Sequence, residues 1–251
     1  MLTVTPALDW EWATSTGGNL TAAQRRALTV RLLRTVPAMV PGRVRQALGK
    51  RGSGRLALAE LRLPDTALAR AAEAEARERL SDTMLAHSYR TYFFARALAE
   101  LDGVDHDDEI GYVASLLHDL ELEQPTPGRC FAVVGGETAN AFAVRHGAPA
   151  ERAAAIGAAI AAHLNPDAAE NLADPGGFVS AGASVDVLGR RLADLDAGFV
   201  DDLLVRHPRQ DFKRHLVACF TAEAAAVPDG RIHWLTGAGF LPMIKLAPFA
   251  E

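Results

Sequence analysis

What most constrains this chain is what it lacks. Almost nowhere in its 251 residues do β-branched side chains alternate with polar ones. A half-buried strand needs that period of two. Apolar residues recur instead at intervals of three and four, between Gly and Pro breaks, which is the pattern of helices that bury one face. Hydrophobic content is 49%, much of it alanine, and aromatics are only 6%. Ala, Leu and Arg all favour helix. The expectation is an all-α fold.

The length suits one large domain or two small ones, with a sizeable core. A net charge of −5 argues against a general nucleic-acid binder. A local basic cluster near Arg43, Arg45, Lys50, Arg51 and Arg55 reads as a solvated helix face. Cys130 and Cys219 show no metal spacing and imply no disulfide framework. No basic stretch followed by an apolar one opens the chain, so no signal peptide is expected. The alanine-rich run from Ala153 to Ala162 is too short for a membrane span. A cytoplasmic protein without nucleic-acid or membrane partners is expected.

In chain order, Trp10 and Trp12 sit on an arm that either docks by those rings or frays. Thr21 caps a helix to about Thr35, a shorter helix covers Val44 to Leu48, and Gly49 to Gly54 reads as a linker. Asp65 caps a helix to about Leu80, and Ser81-Asp82 caps the next, which carries His87 and ends at Gly103. Asp107-Asp108-Glu109 opens the helix that ends at His118-Asp119; acids there also complement the helix dipole. Gly135-Gly136 opens a helix to about His146, and Ala150 to His163 forms another. Ser180 to Leu195 is a helix with Asp186, after a loop at Pro175-Gly176-Gly177. Helices over Gly198 to Arg206 and Asp211 to Ala226 precede a Gly- and Pro-rich tail that packs back. The division expected is an N-terminal extension over 1–60, a helical domain over 61–230, and a tail over 231–251.

His118-Asp119 ends an apolar run. At the last turn of a helix an imidazole and a carboxylate can converge on one cation, and that pair suits zinc, iron or manganese. His87 and Asp186 lie on separate predicted helices. Two imidazoles and two carboxylates would form a first shell for one divalent ion, with open positions for water. Such an ion lowers the pKa of its water toward neutrality.

The order His, His-Asp, Asp on successive helices resembles the HD-domain superfamily of metal-dependent hydrolases. The stretches LSDTMLAHSYRTYFFARALAE, EIGYVASLLHDLEL, ETANAFAVRHG, AIAAHLNP and GASVDVLGRRLADL resemble its cyanamide-hydratase-like branch, over roughly Leu63 to Ala226. The resemblance implies an all-helical HD bundle whose metal ligands are His87, His118, Asp119 and Asp186. It also implies pocket roles for Arg90 and Tyr92, with core packing the alternative for Tyr92. His163 stands where two-metal HD enzymes place a histidine on the second ion. It is read as a pocket hydrogen-bonding group or proton carrier, or as a buried structural histidine.

The chain departs from that branch at three places. Glu121 stands where relatives carry glycine. Phe131-Ala132 replaces a Phe-Glu pair, so Glu121 or Glu123 is a candidate substitute carboxylate. Gly136-Glu137 occupies the place of a second-metal histidine. His146 lies too far along that helix, about 15 Å at 1.5 Å per residue, so one ion is favoured and Glu137 alone keeps a second in play. His106, His207 and His215 read as exposed, and His233 as a packing residue.

The function expected is therefore that of a hydrolase or hydro-lyase using a metal-bound water on a small molecule, with hydration of a cyano-type group favoured. Asp119 would orient the water, and Arg90, His163 and Glu121 would assist. Zinc is the first choice of metal, with iron or manganese as alternatives. Phosphomonoester or nucleotide hydrolysis is the second reading, for which Arg90, Arg129 and Arg145 are the available cations. A helical ligand-binding domain without turnover is the third. A homodimer is compatible with the extension.

Overall fold

Thirteen α-helices and no strand occupy the described part of the computed structural model, residues 8–251, side chains 34–36 and 38 excepted. They are α1 (Trp10–Thr16), α2 (Ala22–Ala38), α3 (Val40–Ala47), α4 (Ala67–Arg79), α5 (Asp82–Asp102), α6 (Asp108–Leu117), α7 (Phe131–Arg145), α8 (Ala150–Ala162), α9 (Pro175–Leu188), α10 (Ala197–Arg206), α11 (Phe212–Ala226), α12 (Arg231–Gly237) and α13 (Phe240–Lys245). None is long and apolar enough to cross a membrane.

Short polar side chains set many of the helix starts. Ser81 Oγ accepts from Met84 N, Asp107 from Ile110 N, and Asp196 from Phe199 N. Each satisfies an amide that has no partner inside its helix. Gly103, at φ 64°, closes α5 in the left-handed conformation that glycine adopts without strain.

Several boundaries differ from the sequence expectation. The cap of α4 is Thr66, not Asp65; its hydroxyl accepts from Ala69 N. Helix α3 begins at Val40, with Pro41 in its first turn, where no amide donor is needed. Helix α7 begins at Phe131, four residues before Gly135. Helix α9 begins at Pro175 because Asp174 Oδ1 accepts from both Gly176 N and Gly177 N, and it ends at Leu188. Gly136 and Gly177, read from sequence as part of a helix start and of a loop, are contact points inside their helices. A Cβ on Gly136 would lie 2.5 Å from the Gly157 carbonyl oxygen, and one on Gly177 only 1.9 Å from that of Asn171.

The core is built around α5, which buries fourteen side chains. It crosses α9 so closely that a Cβ on Gly182 would meet the Thr91 carbonyl oxygen at 1.9 Å. Helices α7 and α8 pair through Gly136 and Gly157, with Trp10 laid across both. Trp12 is buried beneath the Arg231 guanidinium, so the N-terminal arm docks by its tryptophans. The Gly49–Gly54 stretch is a loop, but not a free one. Gly52 N and Gly54 N donate to the Leu195 and Asp194 carbonyls, and Asp196 N donates back to Gly54 O. The tail folds over the same end, where Lys213 Nζ donates to Phe249 O and Glu251 pairs with Arg209.

Candidate metal centre

His87 projects from the second turn of α5, and His118-Asp119 closes α6. All three side chains are buried. His118 Nε2 lies 3.3 Å from His87 Nε2 and 3.2 Å from Asp119 Oδ2, and His87 Nε2 lies 3.5 Å from the same oxygen. Among the described residues this is the one group of three donor side chains close enough to hold a metal ion.

The far sides of the rings fix their protonation. His118 Nδ1 sits 2.8 Å from Ser115 O, and a carbonyl only accepts, so Nδ1 carries the hydrogen. His87 Nδ1 sits 2.7 Å from Asp186 Oδ2, an ionised carboxylate, and donates likewise. Both Nε2 lone pairs then face the Asp119 carboxylate, so three acceptors converge without a donor. A metal ion resolves this, or else a proton on His118. Burial opposes charge on His118, but Asp119 outweighs it and raises the His118 pKa. Burial likewise opposes charge on Asp119, and the adjoining imidazoles lower it to about 2. The set of two imidazole nitrogens and one carboxylate oxygen suits zinc, iron or manganese.

Asp186 is not part of that set. Expected as a fourth ligand, it lies behind His87, on the opposite side of the ring from Asp119. Its oxygens accept from Arg90 Nε and Nη2 at 2.9 and 2.8 Å and from Arg209 Nη1 at 2.5 Å. Two guanidinium groups and the His87 N–H therefore occupy it, and they overcome burial to hold its carboxyl far below the usual range. A carboxylate behind a ligating histidine orients the ring and raises its basicity.

Arg90, expected to face substrate, is fully buried, and its remaining nitrogen donates to the His207 and Pro208 carbonyls. Tyr92 also turns inward and donates to Asp108 at 2.7 Å. Glu121 pairs with Arg79 and Glu137 with Arg129, while Glu123 accepts from Ser81 N and pairs with His215. None of these three acids joins the metal group. His207, expected to be exposed, is stacked between Tyr89 and Phe93. His106 stacks on Phe178, and His215 is half-buried.

His163 does reach the site. It meets His118 edge-on at 5.1 Å between ring centres and lines the same cleft. Its Nδ1 donates to Ile160 O at 2.6 Å, which leaves Nε2 as an acceptor. Burial, with His118 beside it, pushes its pKa down to about 3, so it is neutral.

The cleft that runs outward from these groups encloses about 880 Å³, its open mouth included. Its walls are largely apolar: Leu32, Leu216, Phe220, Leu235, Phe240 and Met243. Polar groups are few, chiefly Ser180, Ser184, Asn165 and Arg190. Among the described residues Arg190 is the one guanidinium on the wall, with Glu170 3.8 Å away, and burial lowers its pKa.

Two contributors carry no local sequence signal. Arg209 binds Asp186 and stacks on Phe212 and Phe249, and Phe212 stacks on His87 at 4.6 Å. Arg209 lies in the α10–α11 connection and Phe212 opens α11, both far along the chain from His87, and only the folded topology brings them there. Compared with known proteins, the chain matches no family model, and no curated protein matches it in sequence.

Proposed function

We propose that the chain is a one-metal hydrolase or hydro-lyase that directs activated water at a small, uncharged substrate. The observation that carries this reading is the convergence of His87 Nε2, His118 Nε2 and Asp119 Oδ2 within 3.2–3.5 Å at the inner end of an apolar cleft. His87, His118 and Asp119 would hold a divalent ion, which would lower the pKa of a water toward neutrality and so supply a nucleophile. His87 and His118 present lone pairs because Asp186 and the Ser115 carbonyl hold their N–H groups. Asp119 accepts a hydrogen bond from the attacking water and orients it. His163, neutral and with Nε2 unengaged by protein, accepts or passes a proton. The apolar walls exclude competing water and hold the body of the substrate.

Hydration of a cyano-type group fits these walls better than phosphoester hydrolysis. A phosphoryl group calls for several converging cations. Arg90 and Arg209 are spent on Asp186, Arg129 pairs with Glu137, and Arg145 lies over the Phe142 ring. Arg190 alone keeps the phosphohydrolase reading in view.

The test is a screen of the zinc-, iron- and manganese-loaded chain against cyanamide, aliphatic nitriles and an aryl phosphomonoester. Turnover of the uncharged compounds, lost in Asp119→Ala, is expected. Turnover of the phosphomonoester alone overturns the substrate class. Bound metal with ligand binding but no turnover of any compound points to a binding domain.

A further inference from the structure

Between Trp12 and Ala59 the chain carries nine Lys and Arg residues and no Asp or Glu, although its net charge is −5. Helices α2 and α3 lie in this stretch. Their outward side chains are Val30 and Leu33 on α2 and Val40, Val44 and Leu48 on or just beyond α3, all half or more exposed. Their spacing of three and four places them in one stripe along each helix. Helix α3 buries no side chain at all. It is held by its cations instead: Arg43 Nη2 donates to Leu188 O at 2.7 Å, and Arg45 Nη1 pairs with Asp194 at 2.9 Å. Arg43 also donates to the carbonyl of Leu246, whose side chain is 75% exposed, so the tail extends the same apolar surface.

The inner side of this hairpin supplies Leu32 and Met39 to the cleft wall. The two helices therefore roof the candidate site and turn a second apolar face outward. Arg26, Lys50, Arg51 and Arg55 are exposed along the same stretch and pair with no carboxylate among the described residues. An apolar stripe flanked by Lys and Arg is what an element lying on an anionic lipid surface needs. The apolar side chains enter the headgroup boundary, and the cations meet the lipid charge.

We propose that the outer face of α2–α3 docks on an anionic membrane surface. Charge favours this occupant over a second copy of the chain. A two-fold pairing would set each cationic stretch against its own duplicate, with no acid in the stretch to answer it. The surface is independent of the metal reading and stands or falls separately.

Vesicle co-sedimentation of the full chain tests it, with phosphatidylcholine vesicles against equimolar phosphatidylcholine and phosphatidylglycerol. At low salt the anionic vesicles are expected to bind about tenfold more tightly or better, and high salt to release the protein. Leu33→Glu with Val44→Glu should weaken binding by a similar factor and leave the thermal melt unchanged, since neither side chain is buried. Arg26→Glu with Lys50→Glu is the second variant, for use if the first does not fold, and should weaken anionic binding alike. Equal affinity for both vesicles, or wild-type binding by both variants, overturns the proposal. So does a dimer in sedimentation equilibrium that Leu33→Glu with Val44→Glu dissociates while wild type ignores vesicles; the occupant is then a second copy.

Discussion

Asp186 Oδ2 lies 2.7 Å from His87 Nδ1, while His87 Nε2 lies 3.5 Å from Asp119 Oδ2. One imidazole thus bridges a carboxylate locked by two arginines and a carboxylate that lines the cleft. Asp186→Asn removes the charge that orients this ring but leaves all three metal-facing atoms in place. Metal affinity should fall about 10- to 100-fold. The two guanidinium groups would lose their buried counter-charge, and folding stability should drop by about 3 kcal/mol or more. Metal titration and chemical denaturation of the same samples check both effects. An unchanged affinity would make Asp186 purely a structural anchor.

His163 is neutral in the native state and keeps one nitrogen for the cleft. His163→Phe should leave bound metal unchanged and lower kcat about 10²-fold or more. Elemental analysis alongside turnover separates this from loss of the ion. A variant that also loses metal would show that His163 supports His118 instead.

The helical class, most of the element order and the His118-Asp119 pair are legible because each rests on local pattern, whereas His87, 31 residues before His118, is joined to them only by the motif order of the resemblance. Helical spacing, capping side chains and an adjacent His-Asp pair all lie within a few residues of one another. Asp186 is expected from the sequence as a fourth metal ligand, whereas in the fold it sits behind His87, against Nδ1. Its true neighbours, Arg90 and Arg209, lie 96 and 23 residues away in sequence, and no spacing rule encodes which carboxylate they claim. Arg90 departs from the expectation for the same reason, since a helical arginine three residues from a ligand histidine can point to substrate or, as here, to a buried acid. In sequence, Gly135-Gly136 reads as a helix start and Pro175-Gly176-Gly177 as a loop. They serve instead as sites of close backbone approach, which only the packed helices reveal.

Glu223 predicts a pH signature away from the metal group. It is 1% exposed and accepts from Phe131 N at the start of α7. Burial raises its pKa from 4.5 to about 7, partly offset by that hydrogen bond and by Arg231. The folded chain therefore holds this proton more tightly than the unfolded chain does. Its contribution is fully present below about pH 4.5 and is lost as pH rises toward 7. Glu223→Gln keeps the acceptor and cannot ionise. Above pH 7 its Tm should exceed wild type by at least about 2–4 °C, the shift that 1 kcal/mol produces in a chain of this size, and the gain should shrink as pH falls and vanish below about pH 4. A gain that does not vary with pH would mean the proton is not involved.

Gly182 sets the approach of α9 to α5, and so the distance from Asp186 to His87. Gly182→Ala inserts a methyl 1.9 Å from the Thr91 carbonyl oxygen and should cost about 1–3 kcal/mol through forced separation of the helices. Gly237→Ala is the matched control. Nothing lies within 4 Å of that position, and added helix propensity should leave stability equal or higher by about 0.5–1 kcal/mol. Denaturant midpoints of the two variants give the comparison.

The central claim is that His87, His118 and Asp119 hold one divalent ion. Elemental analysis of the purified chain, with thermal melts before and after addition of zinc, iron(II) or manganese, tests it most directly. One ion per chain is expected, with a rise in Tm of about 5–10 °C at metal concentrations well above Kd. Both should disappear in His118→Ala with Asp119→Ala, whose circular dichroism stays helical. A wild-type chain that binds none of the three metals and melts at one temperature throughout would contradict the claim.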